Sequence, residues 1–232
     1  MHTVVIGGTG HVGTYLVPRL VEAGYDVTVV SRGNRSPYTP HHAWKKVHHI
    51  TLDRKREETA GTFGVSIRNL EPDIVIDMIC FELASAQQLV EALQGRVQRF
   101  LHCGTCWVHG KTVKIPVTEA EPRRPIGEYG IKKAAIESYL HKQARTTGFP
   151  ETCILPGHIV GPGWIPLNPQ ANFNPGVYTQ LASGERLILP NLGLEIVHHV
   201  HADDVAQMFM QALLNWNAAV GESFNTVSTA AL

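Results

Sequence analysis

The sequence predicts an α/β protein built on a doubly wound parallel sheet. Short β-branched runs alternate with helical patterns along most of the chain, which is the rhythm of successive βαβ units. The first of these runs, at residues 3–6, stops at a glycine cluster, and a helical pattern follows at once. Because crossovers are right-handed, all the strands should end at one rim, where ligands bind.

The glycine cluster contains Gly7, Gly10 and Gly13 in a G-x-x-G-x-x-G spacing. A strand that turns sharply into a helix aims free N–H groups and the positive helix end at one point, which suits a pyrophosphate. Glycine permits the tight turn, the approach of the phosphates and close packing of helix on strand. The alternative is a glycine-rich turn without a ligand. The other predicted contacts in this turn are Thr9, His11 and Val12.

The following elements are predicted from apolar periodicity and from glycine and proline breaks. A helix over 11–23 precedes a strand at 26–31, whose continuous apolar run is typical of burial on both faces. Further strands are predicted at 46–52, 73–80, 98–103 and 151–155, with helices ending near 70, over 85–93 and within 127–148.

From residue 157 the pattern changes to loops rich in glycine and proline. We predict a short helix at 175–183, a short strand at 186–189, a helix at 203–216 and a last strand at 223–226. Asp203 or Asp204 can cap the third of these elements. No polar tail follows the last strand, so we expect a truncated C-terminus.

Parallel strands end at one rim, so residues that follow them should line one crevice although they lie far apart in sequence. These residues are Gly7, Ser31, Asp53, Ile79, Thr105 and Pro156.

Composition excludes several classes of protein. The chain has 232 residues, and its 20 Lys and Arg balance its 20 Asp and Glu, which predicts no general affinity for nucleic acid or anionic membranes. No apolar run approaches the roughly 20 residues of a membrane span. The N-terminus enters a strand without a signal-peptide pattern. We therefore expect a cytoplasmic protein that acts on a small molecule.

Cysteines and histidines invite a metal or redox interpretation, which we disfavour. Cys103 and Cys106 match C-x-x-C, but this pair follows a strand, and Cys80 and Cys153 form no partner motif. Histidines cluster at 41–42, 48–49 and 198–201, but neighbours in a strand point to opposite faces. We predict no metal site.

Tyr129 and Lys133 lie four residues apart, on one face of the predicted helix. Tyrosine is a poor base near neutrality because its pKa is about 10. An adjacent ammonium favours the phenolate and lowers that pKa, so Tyr129 becomes a usable general acid or base. The alternative is an ordinary surface tyrosine beside a lysine.

Together these motifs resemble the extended short-chain dehydrogenases/reductases, the NAD-dependent epimerase/dehydratase family. Residues 101–110, 155–163 and 200–206 are similar to further segments of that family, and the resemblance runs from residue 3 to about 226. It implies a Rossmann-type dinucleotide-binding domain at 1–156. It further implies that residues 157–232 form a small substrate-binding portion interleaved with the last strands of the sheet. The implied activity is that of an NAD(P)-dependent oxidoreductase or epimerase acting at a secondary alcohol or ketone.

The resemblance also implies residue roles. Thr105 matches the hydroxyl that binds the substrate oxygen, Tyr129 transfers the proton, and Lys133 lowers its pKa and binds the nicotinamide ribose. Asp53 matches the contact to the adenine amine, and His158 lies over the nicotinamide, unless it is a packed histidine. The remaining implied cofactor contacts are Ile79, Pro156 and Ile159. Homodimerisation through the helices at 85–93 and 127–148 is implied as well.

Three residues differ from the family pattern, and they disfavour some of the family's reactions and substrates. Dehydratases of the family follow the threonine with Asp-Glu, whereas Cys106 and Trp107 stand here, so we disfavour water elimination. Leu155 replaces an arginine of many members, which weakens the case for a nucleotide sugar.

The loop after the second strand bears on the choice of cofactor. It has no acidic residue, while Ser31 and Arg32 can bind a 2′-phosphate, so we favour NADP over NAD. Arg32 and Arg35 could instead be solvated loop charges. The alternative function is a non-catalytic dinucleotide sensor or RNA-binding member of the same fold.

Overall fold

The computed structural model describes residues 1–111, 114–193 and 198–228. Its strands are β1 (His2–Ile6), β2 (Asp26–Ser31), β3 (His48–Thr51), β4 (Ile74–Asp77), β5 (Arg99–Cys103), β6 (Glu151–Pro156), β7 (His158–Val160), β8 (His199–His201) and β9 (Ser223–Thr226). Its helices are α1 (His11–Glu22), α2 (Arg54–Thr59), α3 (Phe63–Arg68), α4 (Leu83–Leu93), α5 (Gly127–Thr147), α6 (Gly176–Ala182), α7 (Ala202–Leu214) and α8 (Trp216–Ala219).

The described residues form a main sheet of seven strands in the order β3-β2-β1-β4-β5-β6-β9. Every strand pair in it is parallel. The order steps outward from β1 in both directions, which makes the sheet doubly wound, as predicted. The carboxyl ends of all the strands therefore share one rim.

Helices cover both faces of the sheet and bury its apolar side chains. On one face α1 and α7 supply residues such as Leu16 and Phe209, and on the other α3, α4 and α5 supply residues such as Phe63 and Leu140. Burial on both faces explains the continuous apolar runs of the central strands. Among the described residues, no helix is both long and apolar enough to cross a membrane.

The C-terminal portion differs most from its prediction. Residues 186–189 form no strand, while β7 and β8, which were not predicted, pair in a small parallel sheet. The predicted helix at 203–216 ends at Leu214, and Asn215 separates it from α8. The predicted strand at 223–226 is β9, which extends the main sheet beside β6. The domain boundary at residue 156 stays a prediction.

The predicted cap of α7 is wrong. His201 caps this helix, because its Nδ1 accepts the N–H of Asp203 (3.1 Å). The Asp203 carboxylate instead accepts two hydrogen bonds from Nη2 of Arg19 on α1, at 2.6 and 2.8 Å. This ion pair joins the two helices that cover one face of the sheet.

Candidate active site at the carboxyl rim of the sheet

The turn between β1 and α1 requires its glycines. Gly7 has a φ of +84°, and a Cβ there would stand 2.7 Å from Cγ2 of Ile79, the residue predicted to line the crevice after β4. A Cβ on Gly13 would lie 2.1 Å from the carbonyl oxygen of Gly8, so no side chain fits between helix and strand. The N–H of Gly10 donates to the carbonyl of Gly7 (3.1 Å), which closes the turn.

The start of α1 fits an anionic group such as a pyrophosphate. Its cap residue Gly10 carries no side chain, and its first turn holds no acidic residue. The first N–H groups of a helix lack partners within the helix, and the helix dipole adds positive potential there. Thr9, His11 and Val12, the other predicted contacts, all belong to this turn.

The ends of β2 and β3 carry the residues predicted to contact the ribose and adenine. Ser31 ends β2, where its hydroxyl accepts the N–H of Gly33 (3.2 Å), and Arg32 is exposed beside it. Asp53 is exposed after β3 and caps α2 by accepting the N–H of Arg56 (3.1 Å).

A buried ion pair fixes the backbone next to Asp53. Arg54 donates to Asp77 at the end of β4 and to Glu58, both at 2.6 Å. Burial alone would lower the pKa of Arg54, but the Asp77 carboxylate reverses this effect and raises it. Sequence reasoning missed this pair, since its residues lie 23 positions apart.

Thr105 and Tyr129 lie near each other at the carboxyl rim of the sheet. Thr105 is buried after β5, and its Oγ1 accepts the N–H of Trp107 (3.3 Å), which starts a short 3₁₀ helix at Cys106–Val108. The Thr105 side chain also lies close enough to Tyr129 to lower the pKa of its hydroxyl. Tyr129 is 47% exposed, whereas Thr105 is buried.

The expected lowering of the Tyr129 pKa is wrong for this structure. Burial raises the pKa of Tyr129 to about 12, with a further rise from Cys103 and an opposing effect of the Thr105 hydrogen bond. The Lys133 ammonium, which was expected to lower this pKa, is hydrogen-bonded to other groups. Lys133 is 2% exposed, and its Nζ donates to the carbonyls of Cys80 (2.7 Å) and Cys103 (2.8 Å).

Lys133 therefore connects the ends of two strands. Cys80 follows β4 and Cys103 ends β5, and the ammonium also lies 4.7 Å from the centre of the Phe81 ring. Burial lowers the pKa of Lys133, and Cys103 and Cys80 oppose this effect. An ammonium has three N–H donors, of which the two carbonyls take two. Its predicted role toward the nicotinamide ribose stays a prediction.

Past β6 the chain enters the predicted nicotinamide region. Pro156 is buried at the end of β6, and Ile159 packs against the core on the α1 face. The His158 ring meets the Trp107 indole edge-on at 5.6 Å. Burial, and then the neighbouring His199, lowers the pKa of His158, so this imidazole is neutral near pH 7.

His11 joins the glycine turn to a later loop, a contact that the sequence did not signal. Its buried ring stacks on Trp164 (4.9 Å, 22°) and lies 5.0 Å from the Tyr38 ring. A Cβ on Gly161 would approach its Nε2 to 3.0 Å, so this loop packs directly over the start of α1.

A second polar cluster, which we call the edge network, lies farther along α5. Glu137 receives a salt bridge from Arg123 (2.7 Å) and a hydrogen bond from Ser223 on β9 (2.6 Å). His141 bonds Ser223 (2.9 Å) and Glu151 on β6 (2.8 Å). The network thus ties α5 to the last two strands of the sheet.

The histidine pair at 41–42 lies beside Glu22, so that three possible metal ligands come together at the surface. Glu22, His41 and His42 bring ligand atoms within 4.8 Å of one another, all exposed. Nδ1 of His41 accepts the N–H of Ala43 (3.3 Å), and its Nε2 faces Glu22 at 3.5 Å. The absence of a metal site stays a prediction. All four cysteines are free thiols.

Comparison with known proteins agrees with the geometry. Residues 3–226 match the NAD dependent epimerase/dehydratase family. The chain is 30% identical to 2′-dehydrokanamycin reductase of Streptomyces kanamyceticus, over 93% of this chain and 58% of that protein. It is 27% identical to the chloroplast stem-loop binding protein of 41 kDa b of Arabidopsis thaliana, over 96% of this chain and 57% of that protein. The chain thus spans less than two thirds of these relatives.

Solved structures share the fold. UDP-glucose 4-epimerase of Thermotoga maritima superposes with a TM-score of 0.76 at 23% identity, covering 100% of this chain and 78% of that one. UDP-glucuronic acid 4-epimerase of Bacillus cereus, in complex with UDP-glucuronic acid and NAD, gives 0.76 at 17% identity, covering 100% and 79%. With its glycine turn, parallel sheet and matched length, the chain belongs to the NAD dependent epimerase/dehydratase family.

Proposed function

We propose that the chain is an NAD(P)-dependent oxidoreductase or epimerase that acts at a secondary alcohol or ketone by hydride transfer. The observation that carries this proposal is the proximity of the Thr105 and Tyr129 side chains, through which Thr105 lowers the pKa of the Tyr129 hydroxyl. This pair stands at the same rim as a turn whose glycines and free N–H groups fit a pyrophosphate. Family membership supports the assignment of both features to one reaction.

In this proposal each side chain has one task. The cofactor supplies hydride exchange at its nicotinamide, and the protein supplies orientation and proton transfer. Thr105 holds the substrate oxygen by a hydrogen bond, and Tyr129 exchanges a proton with that oxygen. Because burial raises the pKa of Tyr129 to about 12, its hydroxyl is protonated at neutral pH. That state suits donation of a proton to the substrate oxygen.

The relatives of this chain bear on its substrate class, and two positions at which it departs from dehydratases of the family bear on its reaction. Relatives include a reductase of 2′-dehydrokanamycin and several UDP-glucose 4-epimerases, which supports a sugar-related substrate. Cys106 and Trp107 occupy the positions at which dehydratases resembling this chain carry Asp-Glu. Acids and bases for water elimination are therefore missing there, so a reductase or epimerase is favoured over a dehydratase.

Turnover by Tyr129→Phe is the direct test of this function. With NADPH and a panel of sugar-derived and simple ketones, we expect the variant to lose about 10²- to 10⁴-fold in rate, the range of a general acid. NADPH binding should stay within about threefold, since the phenol ring remains. Val65→Ala, an exposed change on α3 on the same face of the sheet, is the control. Undiminished turnover in Tyr129→Phe contradicts the proposal.

For the cofactor we propose NADP, with NAD as the alternative. Ser31 and exposed Arg32 can bind a 2′-phosphate, and residues 32–40 contain no acid that would repel it. The NAD in the Bacillus cereus epimerase supports the alternative. Calorimetry should find tighter binding of NADPH than of NADH, and Arg32→Ala should remove most of the difference. Tighter binding of NADH contradicts this assignment.

A second candidate function is RNA binding without catalysis. It is favoured by one observation, the likeness to a protein named for binding stem-loops. The zero net charge and the retained Tyr129 and Lys133 favour the enzyme instead. Fluorescence anisotropy with a stem-loop RNA distinguishes them, because salt-sensitive binding supports the second candidate and absence of binding removes it.

We also propose self-association through α4 and α5. Ile131 on α5 is 55% exposed, which leaves apolar surface on this helix. Sedimentation of the purified chain tests this proposal, and a monomer at all concentrations contradicts it.

A further inference from the structure

Three side chains of the kinds that bind transition metals converge at the C-terminal end of α1. Glu22 is the last residue of this helix, and His41 and His42 lie in the connection between β2 and β3. One ligand atom from each lies within 4.8 Å of the other two. Two imidazoles and one carboxylate are a ligand set typical of zinc sites that keep a fourth position for water.

The two histidines face the same side because the backbone turns between them. His41 is extended, with a φ of −150° and a ψ of 141°, and it caps a 3₁₀ helix that begins at His42 and ends at Lys46. Their rings consequently stack, with centres 4.5 Å apart and planes inclined by 29°. The expectation that paired histidines diverge assumed a strand, which this segment does not form.

The separations of the ligand atoms are close to those of a zinc site. Zn²⁺ holds imidazole nitrogens and carboxylate oxygens at about 2.0–2.2 Å, so two ligands of a tetrahedral site lie about 3.4 Å apart. Nε2 of His41 lies 3.5 Å from Oε1 of Glu22, and Nε2 of His42 lies 3.8 Å from the same oxygen. The gap between the two imidazoles can close by rotation of the His42 side chain, which is 75% exposed.

The surroundings hold the backbone of the cluster in place and favour a cation. Ala43 is buried, and Trp44 packs against the core that α1 helps to form. Glu22 stands at the C-terminal end of α1, where the helix dipole is negative and stabilises positive charge. Arg19, the basic residue of that last turn, pairs with Asp203 instead.

Binding of a metal exchanges one hydrogen bond for a coordinate bond. Nδ1 of His41 accepts the N–H of Ala43 at 3.3 Å, which leaves the proton of the neutral ring on Nε2. A metal takes the lone pair of Nε2, so the ring proton moves to Nδ1 and this long hydrogen bond is lost. The amide of Ala43 therefore reports on coordination by His41.

We propose that Glu22, His41 and His42 form a binding site for Zn²⁺. This proposal replaces the expectation, drawn from the sequence alone, that the chain has no metal site. Imidazole ligands suit Zn²⁺, whereas Mg²⁺ and Ca²⁺ prefer oxygen ligands. The twelve residues of α1 span about 18 Å, and the glycine turn lies at the other end of this helix. The metal accordingly takes no part in the proposed hydride transfer, and it joins the end of α1 to the segment that leads into β3.

Calorimetric titration with Zn²⁺ tests this proposal, on the EDTA-treated chain made without a histidine tag and with its cysteines kept reduced. We expect saturable binding of one Zn²⁺ per chain at micromolar concentrations. His42→Ala and Glu22→Gln should each weaken binding about tenfold or more, since even residues that only support the ligands contribute about 10–100-fold. In ¹⁵N NMR spectra of the wild-type chain, Zn²⁺ should shift the amide signal of Ala43.

His48→Ala is the matched control. The His48 side chain is 71% exposed and its Nε2 lies 3.6 Å from Oδ1 of Asp26, but no third ligand within the described part of the chain joins this pair. The substitution should leave zinc binding within about threefold, and the metal-free variants should unfold at the wild-type temperature, because the changed side chains are exposed. Three results overturn the proposal: no saturable binding by wild type, equal binding by His42→Ala, or equal weakening by His48→Ala.

Discussion

One helix carries two polar clusters that differ in how completely their groups are paired. Near the start of α5, Tyr129 lies beside Thr105 and leaves about half of its surface in solvent. About two and three helical turns farther on, Glu137 and His141 of the edge network each bind charged or hydroxyl partners on other elements. The first cluster has capacity left for a ligand, whereas the second is saturated by the protein itself.

The difference indicates what each cluster contributes. Buried polar groups that satisfy one another fix the position of the elements that carry them. The edge network holds β9 beside β6 through Ser223 and Glu151, far from the glycine turn. Loss of a partner there should reduce stability, whereas changes around Tyr129 should reduce function. The following predictions test that division, from the largest effect on folding stability to the smallest.

Removal of the Glu137 carboxylate should have the largest effect. Glu137→Ala leaves Arg123 and His141 without their shared partner, and breaking a buried ion pair in this way costs about 3–5 kcal/mol. Urea unfolding of the variant measures the loss. Glu128→Ala on the same helix is the matched control and should shift the midpoint little, because this carboxylate is exposed. Equal midpoints for the two variants would contradict the division.

The second-largest effect should be the change of folding stability with pH. Burial lowers the pKa of His141, but the hydrogen bonds to Glu137 and Glu151 outweigh it and raise the pKa to about 9, from 6.5. Its contribution is therefore complete below pH 6.5 and is lost as the pH rises through about 9. The loss should amount to about 2–3 kcal/mol.

The same network sets the acid limit of stability. Burial raises the pKa of Glu137, but hydrogen bonds from His141, Arg123 and Ser223 lower it to about 2. Its contribution is present above the ordinary value of 4.5 and is lost as the pH falls through about 2.

Unfolding free energies between pH 5 and 10 test the decline in stability that deprotonation of His141 should cause. His141→Gln should flatten the decline above pH 7, and a decline as steep as in wild type would contradict the assignment to His141.

Substitution of Lys133 should have an intermediate effect on stability. This side chain satisfies two buried carbonyls and, in the proposed function, also binds the cofactor. Lys133→Met leaves the carbonyls of Cys80 and Cys103 without a donor, which costs about 1–3 kcal/mol. It should also reduce the extra stability that NADPH confers, since the proposed ribose contact is lost. Thermal unfolding with and without NADPH measures both quantities. A variant as stable as wild type would show that the carbonyls find other partners.

Tyr129→Phe should change stability least while it lowers turnover about 10²- to 10⁴-fold. The variant loses only the hydroxyl beside Thr105, whose Oγ1 keeps the N–H of Trp107. The expected cost is below about 1 kcal/mol. Urea unfolding checks this value, and a loss as large as that of Glu137→Ala would place Tyr129 in the structural cluster.

Local patterns were enough to predict the sheet and the glycine turn, whereas the joint role of Thr105 and Tyr129 followed only from the resemblance to the family and stays a prediction. Strand and helix periodicity reports local burial, and parallel topology then brings the strand ends to one rim. The region after residue 157 was harder, because β7 and β8 are three residues each and their pairing spans 41 positions at every step of the register. Short, non-local pairs leave no periodic signal.

The direction of the Tyr129 pKa could not be predicted from spacing alone. Four residues on a helix place Lys133 on the same face, but tertiary contacts decide where its flexible chain ends. Here two carbonyls at the ends of β4 and β5 capture the ammonium. The edge network and the contact of Arg54 with Asp77 were missed for the same reason, since each joins residues from separate elements.

The central claim is that the turn containing Gly7, Gly10 and Gly13 holds a nicotinamide dinucleotide beside the Thr105–Tyr129 pair. Calorimetric titration of the purified chain with NADPH and NADH tests it most directly. We expect saturable binding of one dinucleotide per chain, which Gly13→Ala abolishes because its Cβ would meet the Gly8 carbonyl. Binding of neither dinucleotide by the wild-type chain, or undiminished binding by the variant, would contradict the claim.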